Sequence, residues 1–558
     1  MDNPSVQRVL ISVTDKTGVV DFARALAQEF GAEIVSTGGT ARALEEAGVT
    51  VRHIDDLTGF PEMMDGRVKT LHPRVHGGLL ARRDLPAHVA AADAHGIGMI
   101  DMVVVNLYAF EATVARADVD FGEAIENIDI GGPAMLRSAA KNHDFVTVVT
   151  DPASYGDILD EMRAQGGSTT LATRRRLELE VFRLTSGYDN AIMTWLAGKL
   201  ADTTATGFFP EECRLTLTGG SELRYGENPH QHAAFYLSSV DGFGAATGAA
   251  ATATAPALTP AAPSAPAPAP TAPPTSPHLA HAQQLQGKEL SYNNYLDLDA
   301  AWAAVREFDA PTCVIVKHLT PCGIASATTT ITDAYQRAYE ADPVSAFGGV
   351  MAFNCPVPAA LIEAIYANGQ FVEALVAPAY DAKALELLTQ KANIRVLETG
   401  GVNPPGGGLD FRGIDGGMLV MTSDAIREDA ATFTVPTKRT PTADELESLL
   451  FAWRACKSVK SNAIVIARGS ATVGIGAGQP NRVNSARLAV EQAGEQAQGA
   501  QAASDAFMPF ADSLEVLAGA GVTAVIQPGG SVRDAEVIAA ADAAGMALVF
   551  TGHRHFRH

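Results

Sequence analysis

The fold of the N-terminal region is decided by "RVLISVTDKTGVVDFARALAQEFGAEIVSTGGTARALEEAGVTVRHI", residues 8–54. Short apolar runs, such as residues 8–13, alternate here with longer amphipathic runs, such as residues 19–30. Apolar runs of this length are typical of buried strands, and the amphipathic runs are typical of helices that cover a sheet. The order β-α-β-α-β predicts an open parallel sheet in an α/β domain.

Further strands are predicted within residues 100–110 and 145–151, and a long helical pattern spans residues 173–200. We place the end of the first domain at residue 204 and assign residues 205–558 to a second α/β region. An Ala/Pro/Thr-rich tract at 243–280 interrupts this region, and its composition predicts a disordered surface insertion. The segments "CVIVKHLTPCGIA" (313–325) and "NAIVIARGSATVGIGAG" (462–478) look alike, which suggests an internal duplication.

Composition restricts the class of protein. At 558 residues the chain exceeds a single core, and 47% apolar residues are enough to build several. A formal net charge of −22 argues against nucleic acid or an anionic membrane as a partner. The five cysteines show no disulfide pattern, and no apolar run approaches the ~20 residues of a membrane helix. These features predict a soluble, cytoplasmic protein.

Two loops at predicted strand ends have the character of phosphate-binding loops. The first, "ISVTDKTG" (11–18), supplies Ser12, Lys16 and Thr17. The second, "VSTGGT" (35–40), supplies Ser36, Thr37, Gly38 and Thr40. Strand ends in parallel sheets border the ligand crevice, and helix N-termini favour anions. We expect a phosphorylated small molecule here, although each loop could simply cap a helix.

A dense group of cations follows in "MDGRVKTLHPRVHGG" (64–78), which includes Arg67, Lys69 and His76. Its Pro and Gly residues suggest a structured loop. A metal site at His72 and His76 is not favoured, because a third ligand at a suitable spacing is missing. "ENIDIGGPAMLRSAAKNH" (126–143) then adds Asp129 before a Gly-Gly turn, with Lys141 on the following helix. An acid, a glycine-rich helix start and several cations are suited to an anionic substrate.

In "CVIVKHLTPCGIA", Lys317 and His318 end an apolar strand just before a predicted Pro-Cys-Gly turn. Three interpretations are open on this stretch alone: a zinc site, an acid/base pair, or an ordinary polar strand end.

Fourteen motifs in chain order resemble the family of bifunctional purine-biosynthesis enzymes that join an IMP cyclohydrolase to a 5-aminoimidazole-4-carboxamide ribonucleotide (AICAR) transformylase. The motifs are "SVTDKTG", "STGGT", "GRVKTLHP", "NLY", "IDIGG", "AAKNH", "LRYGENPHQ", "LQGKELSYNN", "VKH", "DPVSAFGG", "VKSN", "GIGAGQ", "SDAF" and "HRHFRH". The resemblance implies a methylglyoxal-synthase-like parallel-sheet domain at 1–204. It implies two cytidine-deaminase-like α/β subdomains at 205–558, without zinc.

For formyl transfer, the resemblance implies His318 as the proton-transferring residue, with Lys317 assisting and Asn462 orienting the reacting groups. It implies that five residues hold the nucleotide: Arg224, Tyr225, Lys288, Arg482 and Arg554. Asp512 would lie on the folate side.

For ring closure, the resemblance assigns proton transfer and charge stabilisation to Lys69, Tyr108, Asp129 and Lys141. The 5′-phosphate would be held by the two loops, through Ser12, Lys16, Ser36, Thr37, Gly38 and Thr40, with Thr17 and Arg67 also near the substrate.

The implied small molecules are AICAR, formyl-AICAR and 10-formyltetrahydrofolate as co-substrate, and no metal is required for catalysis. Family members assemble as homodimers, and a monovalent cation is bound structurally in some of them. Two other hypotheses are a monofunctional transformylase whose N-terminal domain only binds an effector, and a nucleotide-sensing scaffold without turnover.

Overall fold

The computed structural model describes residues 3–61, 63–64, 67–200, 209, 213–241, 277–403, 405, 408–427 and 429–558. The chain divides into two compact units, Met1–Glu212 and Cys213–His558. The predicted boundary at 204 lies outside the described residues, as does the predicted insertion 243–280 apart from its last four residues. Across the described ranges, every helix is too short or too polar to cross a membrane.

The first unit alternates strands and helices. In chain order these are β1 (Arg8–Ser12), α1 (Val19–Glu29), β2 (Glu33–Ser36), α2 (Gly38–Glu46), β3 (Arg52–His53), α3 (Ile54–Thr58), α4 (Pro73–Leu80), α5 (Pro86–Ala94), β4 (Met102–Val105), α6 (Phe110–Val114), α7 (Phe121–Glu126), α8 (Gly131–Lys141), β5 (Thr147–Val149), α9 (Tyr155–Ala164) and α10 (Leu171–Leu200).

In the described part of this unit, five strands form one parallel sheet in the order β3-β2-β1-β4-β5. The predicted β-α-β-α-β order is therefore confirmed. Val9, Leu10 and Ile11 of β1 are all fully buried, because helices cover both faces of a parallel sheet. The strand order changes direction between β1 and β4, and ligand crevices open at the carboxyl ends of strands flanking such a point.

The second unit begins with a hairpin and continues as a repeated α/β pattern. Its elements are β6 (Arg214–Leu223), β7 (Ala233–Asp241), β8 (Gln283–Gln286), α11 (Tyr292–Val305), β9 (Thr312–Lys317), β10 (Thr320–Ser326), α12 (Ile331–Ala341), α13 (Pro343–Ala346), β11 (Gly349–Phe353), α14 (Ala359–Ala367), β12 (Val372–Ala377), α15 (Ala382–Leu388), β13 (Arg395–Glu398), β14 (Leu409–Ile414), β15 (Gly417–Thr422), α16 (Ala443–Cys456), β16 (Ile464–Arg468), β17 (Ala471–Gly476), α17 (Arg482–Ala493), β18 (Gln501–Ser504), α18 (Asp512–Gly519), β19 (Ala524–Gln527), α19 (Asp534–Ala543) and β20 (Ala547–Phe550).

Eleven of these strands form one mixed sheet in the order β20-β19-β18-β16-β17-β10-β9-β11-β12-β13-β8. Each half contains an antiparallel hairpin followed by three strands that are parallel to one another, and β10 pairs with β17 where the halves meet. Helices α11 and α16 cover one face in a single core, and the remaining long helices cover the other.

The two halves are an internal duplication, as the similarity of the two sequence segments suggests. Helices α11 and α16 have the same length of 14 residues, and both begin with a side-chain capping box. Trp302 and Trp453 are the eleventh residue of their helices, and both are almost fully buried. In each half, a glycine lets the next helix pack closely, because a Cβ at Gly323 or Gly474 would lie about 2 Å from a helix carbonyl oxygen.

The predicted Pro-Cys-Gly turn is wrong. The β9–β10 turn consists of His318 and Leu319, which have φ angles of 54° and 64°. Pro321, Cys322 and Gly323 lie within β10, where the register shifts between Pro321 and Gly323. A bulge of this kind accommodates a proline, which cannot donate to the strand ladder.

Candidate functional site

A cavity of about 680 Å³ opens in the first unit at the carboxyl ends of β1, β2 and β4. It is bordered by the N-termini of α2 and α8, where free backbone N–H groups favour anions. Nine of the predicted site residues line it: Ser12, Lys16, Thr37, Gly38, Thr40, Arg67, Lys69, Tyr108 and Asp129. The fold therefore brings together residues that are separated by up to 117 positions in the chain.

The two predicted phosphate loops are joined through their hydroxyl groups. The Ser12 Oγ and Thr37 Oγ1 atoms lie 2.9 Å apart, and Thr40 Oγ1 accepts from Val13 N and donates to Val13 O. The Ser36 hydroxyl donates to the carbonyl of Ile11. Ser36 is fully buried and does not line the cavity. The Ser36 and Thr40 hydroxyls therefore hold the loops together, contrary to the prediction that they grip a phosphate.

Asn106 is a cavity residue that sequence reasoning did not select. Its Oδ1 atom accepts from Thr14 N at 2.6 Å and Asp15 N at 3.1 Å, and its Nδ2 donates to the Asp15 carbonyl. These bonds fix the first loop from the end of β4. The only available signal was its position, directly after a buried strand and inside the motif "NLY".

Lys16 and Thr17 differ in their placement. Lys16 lines the cavity, and its Nζ atom lies 3.4 Å from the carbonyl oxygen of Thr14. Thr17 does not line it, because its hydroxyl and backbone N–H both bond to the Asp15 carboxylate. Thr17 thus stabilises the turn before α1.

Lys69 lies beside the glycine loop. A Cβ at Gly38 would be 3.2 Å from Lys69 Nζ, so the absence of a side chain makes room for this ammonium group. Arg67 forms an exposed ion pair with Glu126, which also lines the cavity. Both cations therefore lie at the crevice, on the segment that precedes α4.

The prediction of an irregular loop through residue 78 is wrong for its second half. Pro73 occupies the first turn of α4, where a missing N–H has no cost, and His72 caps this helix by accepting from Arg74 N. Arg74 donates to the carbonyl of Thr58, and His76 Nδ1 lies 2.9 Å from Ser138 Oγ. These two side chains therefore bond α4 to α3 and to α8.

Asp129 lies at the N-terminus of α8, where its Oδ1 atom accepts from Gly132 N at 2.8 Å. Burial raises the pKa of its carboxyl group, and hydrogen bonds from the backbone of Gly132 and Tyr108 oppose this rise. A raised pKa brings the carboxyl closer to the range in which it can exchange protons at neutral pH. The Tyr188 hydroxyl accepts from Asp129 N, which ties the segment to α10.

Tyr108 and Lys141 have different relations to the cavity. Tyr108 lines it, and 51% of this residue is exposed. Lys141 does not line it, because it ends α8 while Gly131 and Gly132 begin that helix at the cavity. At 1.5 Å per residue, the two ends of α8 are roughly 15 Å apart. The structure does not bring Lys141 together with Asp129, contrary to the prediction.

In the second unit, the β9–β10 hairpin presents Lys317 and His318 at one end of the central strands of the large sheet. His318 is exposed in the turn, and Lys317 Nζ donates to the Phe347 carbonyl at 2.8 Å. Because the turn reverses the chain, both side chains can reach one site although neighbours on a strand point to opposite faces.

Asn462 precedes β16 at the same end of the central strands. The antiparallel pairing of Ala325 with Ala471 places the beginning of β10 opposite the end of β17. Asn462 Nδ2 donates to the carbonyl of Gln479, which follows β17, at 2.8 Å. The duplicated fold therefore brings Asn462 and the His318 turn to one side of the sheet.

A family model described as the AICARFT/IMPCHase bienzyme matches residues 139–255 and 267–492, which together exceed half of the chain. The chain belongs to the AICARFT/IMPCHase bienzyme family. An MGS-like domain model matches residues 18–134, in agreement with the parallel sheet of the first unit. A solved structure titled "Crystal structure of ForH" is 35% identical over 34% of this chain and 98% of that chain, with a TM-score of 0.31.

Membership of the bienzyme family gives this chain two activities. It is an AICAR formyltransferase that depends on folate and an IMP cyclohydrolase, and it catalyses the last two steps of IMP synthesis. The predicted fold class, an MGS-like α/β domain followed by the transformylase region, is confirmed. Small molecules are its substrates.

Within the bienzyme, Arg482, a predicted substrate ligand, forms its hydrogen bonds inside the protein. Its guanidinium pairs with the fully buried Asp505 and donates to Asn462 Oδ1 at 2.7 Å. Only 7% of Arg482 is exposed, because its side chain points under β16 and β18 from the first position of α17. Arg482 therefore positions Asn462 and neutralises the charge of the buried Asp505.

The remaining predicted residues of the transformylase are spread over several elements. Arg224 stacks on Tyr225 after β6, with its Cζ 4.9 Å from the ring centroid, and Lys288 is exposed after β8. Arg554 stacks in the same way on Phe556, in a C-terminal tail that bonds through Arg557 to Ser461, next to Asn462. Asp512 is exposed at the start of α18.

Across the described part of the chain, there is no group of three or more His, Cys, Asp or Glu side chains that could hold a metal ion.

Proposed function

We propose that the cavity of the first unit performs ring closure and that the end of the central strands around His318 performs formyl transfer. The observation that carries the first assignment is the convergence of Lys69, Tyr108 and Asp129 with two hydroxyl-rich loops in one cavity. The assignment of domains follows from it: the cyclohydrolase would occupy residues 1–204 and the transformylase residues 205–558.

In ring closure, the carboxamide nitrogen of formyl-AICAR attacks the formyl carbon of the same molecule, and water leaves. Holding the two groups together supplies much of the acceleration, so no cofactor is needed. We assign the 5′-phosphate to Ser12, Lys16, Thr37 and Gly38, whose hydroxyl, ammonium and backbone groups can donate to it.

Lys69 would stabilise the oxygen that becomes negative during attack, and Tyr108 would assist its protonation. Asp129, with its raised pKa, would accept the proton from the attacking nitrogen. The N-terminus of α8 adds a favourable dipole for the developing negative charge.

In formyl transfer, the amine of AICAR attacks the formyl group of 10-formyltetrahydrofolate, loses a proton, and displaces the folate nitrogen. His318, which is exposed in the turn, would carry this proton to the departing folate nitrogen, because an imidazole ring has nitrogen atoms that can accept and donate a proton. Lys317 would supply positive charge and Asn462 would orient the reacting groups. Arg224, Tyr225, Lys288 and Arg554 would bind AICAR, and Asp512 would lie on the folate side.

We further infer a homodimer in the cytoplasm, with transformylase sites that both subunits complete and a structural monovalent cation. These finer points are what the resemblance of the sequence motifs implies. The free cysteines, of which Cys313, Cys322 and Cys456 are buried, are consistent with a reducing compartment. Sedimentation analysis would test the dimer: a monomer with full transformylase activity would refute the shared sites.

The assay for both activities uses the purified protein with AICAR and 10-formyltetrahydrofolate. Release of tetrahydrofolate is followed by absorbance, and the nucleotide product is identified by chromatography. The wild type should form IMP, Lys69→Ala should stop at formyl-AICAR, and His318→Ala should lose formyl transfer but still close synthetic formyl-AICAR. If Lys69→Ala forms IMP at the wild-type rate, the cavity assignment is wrong.

A further inference from the structure

The turn that carries His318 has a backbone conformation that its residues do not favour. A two-residue hairpin turn with positive φ at both positions normally contains Asn or Gly. Here both residues have ordinary side chains, at φ angles of 54° and 64°. Such a conformation persists only where surrounding contacts hold it, and these contacts are often functional.

The contact that holds this turn comes from α11. Asp297 Oδ1 accepts a hydrogen bond from the backbone N–H of Leu319 at 2.7 Å. The strand ladder around a two-residue turn pairs Lys317 with Thr320, which leaves the N–H of the second turn residue to another partner. Asp297 supplies that partner.

Asp297 is held firmly enough to position the turn. The next residue, Leu298, is fully buried, and Trp302, one turn further along α11, is 2% exposed. The helix also begins with a capping box formed by Ser291 and Asn294. The carboxylate thus projects from a packed helix, which makes it a more precise anchor than a residue on a loop.

The second copy of the duplicated fold provides an internal comparison. Its equivalent turn consists of Gly469 and Ser470, and glycine takes the positive φ of 57° without strain. The residue of α16 that corresponds to Asp297 is Ser448, the sixth residue of its helix. Ser448 is buried and its hydroxyl lies 3.4 Å from the Ala467 carbonyl. The carboxylate occurs only in the copy whose first turn residue is not glycine.

We propose that Asp297 is a positioning residue for formyl transfer, which fixes the His318–Leu319 turn by accepting from Leu319 N. This inference rests on the proposed role of His318. Loss of the bond would let the turn adopt other conformations, and the imidazole would spend less time where it can reach the reacting amine. A misplacement of about 1 Å in a catalytic group can reduce the rate by roughly 100-fold.

Three variants separate the hydrogen bond from the charge and from general stability. Asp297→Ala removes the acceptor and should lower kcat for formyl transfer by about 10–100-fold, with the KM for AICAR within about twofold of the wild type. Asp297→Asn retains an acceptor and should stay within about threefold of the wild type. Asp444→Ala, an exposed carboxylate in the first turn of α16, is the matched control and should leave kcat unchanged.

A second-site variant tests the turn itself. Glycine at position 319 adopts positive φ without help, so Leu319→Gly should restore kcat of Asp297→Ala by at least about threefold. A double variant no faster than Asp297→Ala would overturn the proposal, as would a loss in Asp297→Asn equal to that in Asp297→Ala. Closure of synthetic formyl-AICAR should be unchanged in all these variants because it takes place in the other unit. Unfolding in urea, followed by circular dichroism, shows whether the second unit is folded in each variant.

His318→Ala, measured in parallel, distinguishes failure of the inference from failure of the proposed function. If His318→Ala is inactive and Asp297→Ala has wild-type kcat, only the positioning role is refuted. If His318→Ala is fully active, the assignment of His318 is wrong and the role of Asp297 is refuted with it.

Discussion

Replacing Gly132 by alanine tests the role of Asp129 by moving its carboxylate without removing it. A Cβ at Gly132 would lie 2.4 Å from Asp129 Oδ2 and 2.9 Å from Leu107 Cδ2. Ordinary contact needs about 3.4 Å, so the carboxylate must move by about 1 Å. If Asp129 transfers a proton during ring closure, kcat for closure of formyl-AICAR should fall by roughly 100-fold.

The assay follows IMP formation from synthetic formyl-AICAR, with formyl transfer measured on the same preparation. Formyl transfer should be unchanged because its proposed residues lie in the other unit. The matched control is Gly187→Ala in α10, where a Cβ meets nothing within 4 Å and the helix should gain about 1 kcal/mol in stability. Wild-type closure by Gly132→Ala, with the carboxylate displaced in its crystal structure, would refute the assignment of Asp129.

Two other predictions concern charged groups. Burial raises the pKa of Asp129 in the folded protein, so ionisation of this carboxyl group above the unperturbed pKa of ~3.9 lowers the folding stability as the pH rises. Asp129→Asn should therefore unfold at a higher urea concentration than the wild type at pH 7, and should lose this gain at acid pH, where the side chain at position 129 is neutral in both proteins. The variant should also close formyl-AICAR at least ~100-fold more slowly. Arg482→Met should lower the free energy of unfolding by about 3–5 kcal/mol, because it leaves the carboxylate of Asp505 buried without its partner. If this variant has wild-type stability in a urea titration and a raised KM for AICAR, Arg482 binds the substrate and does not stabilise the fold.

Local patterns were sufficient for much of the fold. The alternation of apolar and amphipathic runs predicted β1 to β3 and their helices, because both features depend on residues close together in the chain. The similarity of the two hairpin segments likewise predicted the duplication. The turn at His318 was missed because a Pro-Cys-Gly sequence normally indicates a turn, whereas here a bulge retains it within β10.

Individual roles were harder to predict than the place of the site. Ser36 and Arg482 belong to motifs with the right chemistry, but their polar groups bond to Ile11 and Asp505 inside the protein. Asn106 and Asp297 were overlooked because a single Asn or Asp near a motif gives no sign of which backbone group it will contact. Their functions depend on partners that are distant in sequence.

The amino-acid sequence by itself determined the class of fold, the two activities and the loops that would border the first cavity. The class of fold follows from periodicity, which is a local property. The two activities follow from the resemblance of short motifs to a known family. The tertiary structure decided which of the candidate groups face the cavity and which form hydrogen bonds inside the protein. It placed Lys69 beside Gly38, moved Lys141 to the far end of α8 and buried Arg482. The physical reason is that burial and hydrogen-bond partners are set by long-range contacts, and these arise only when the sheets and helices have assembled.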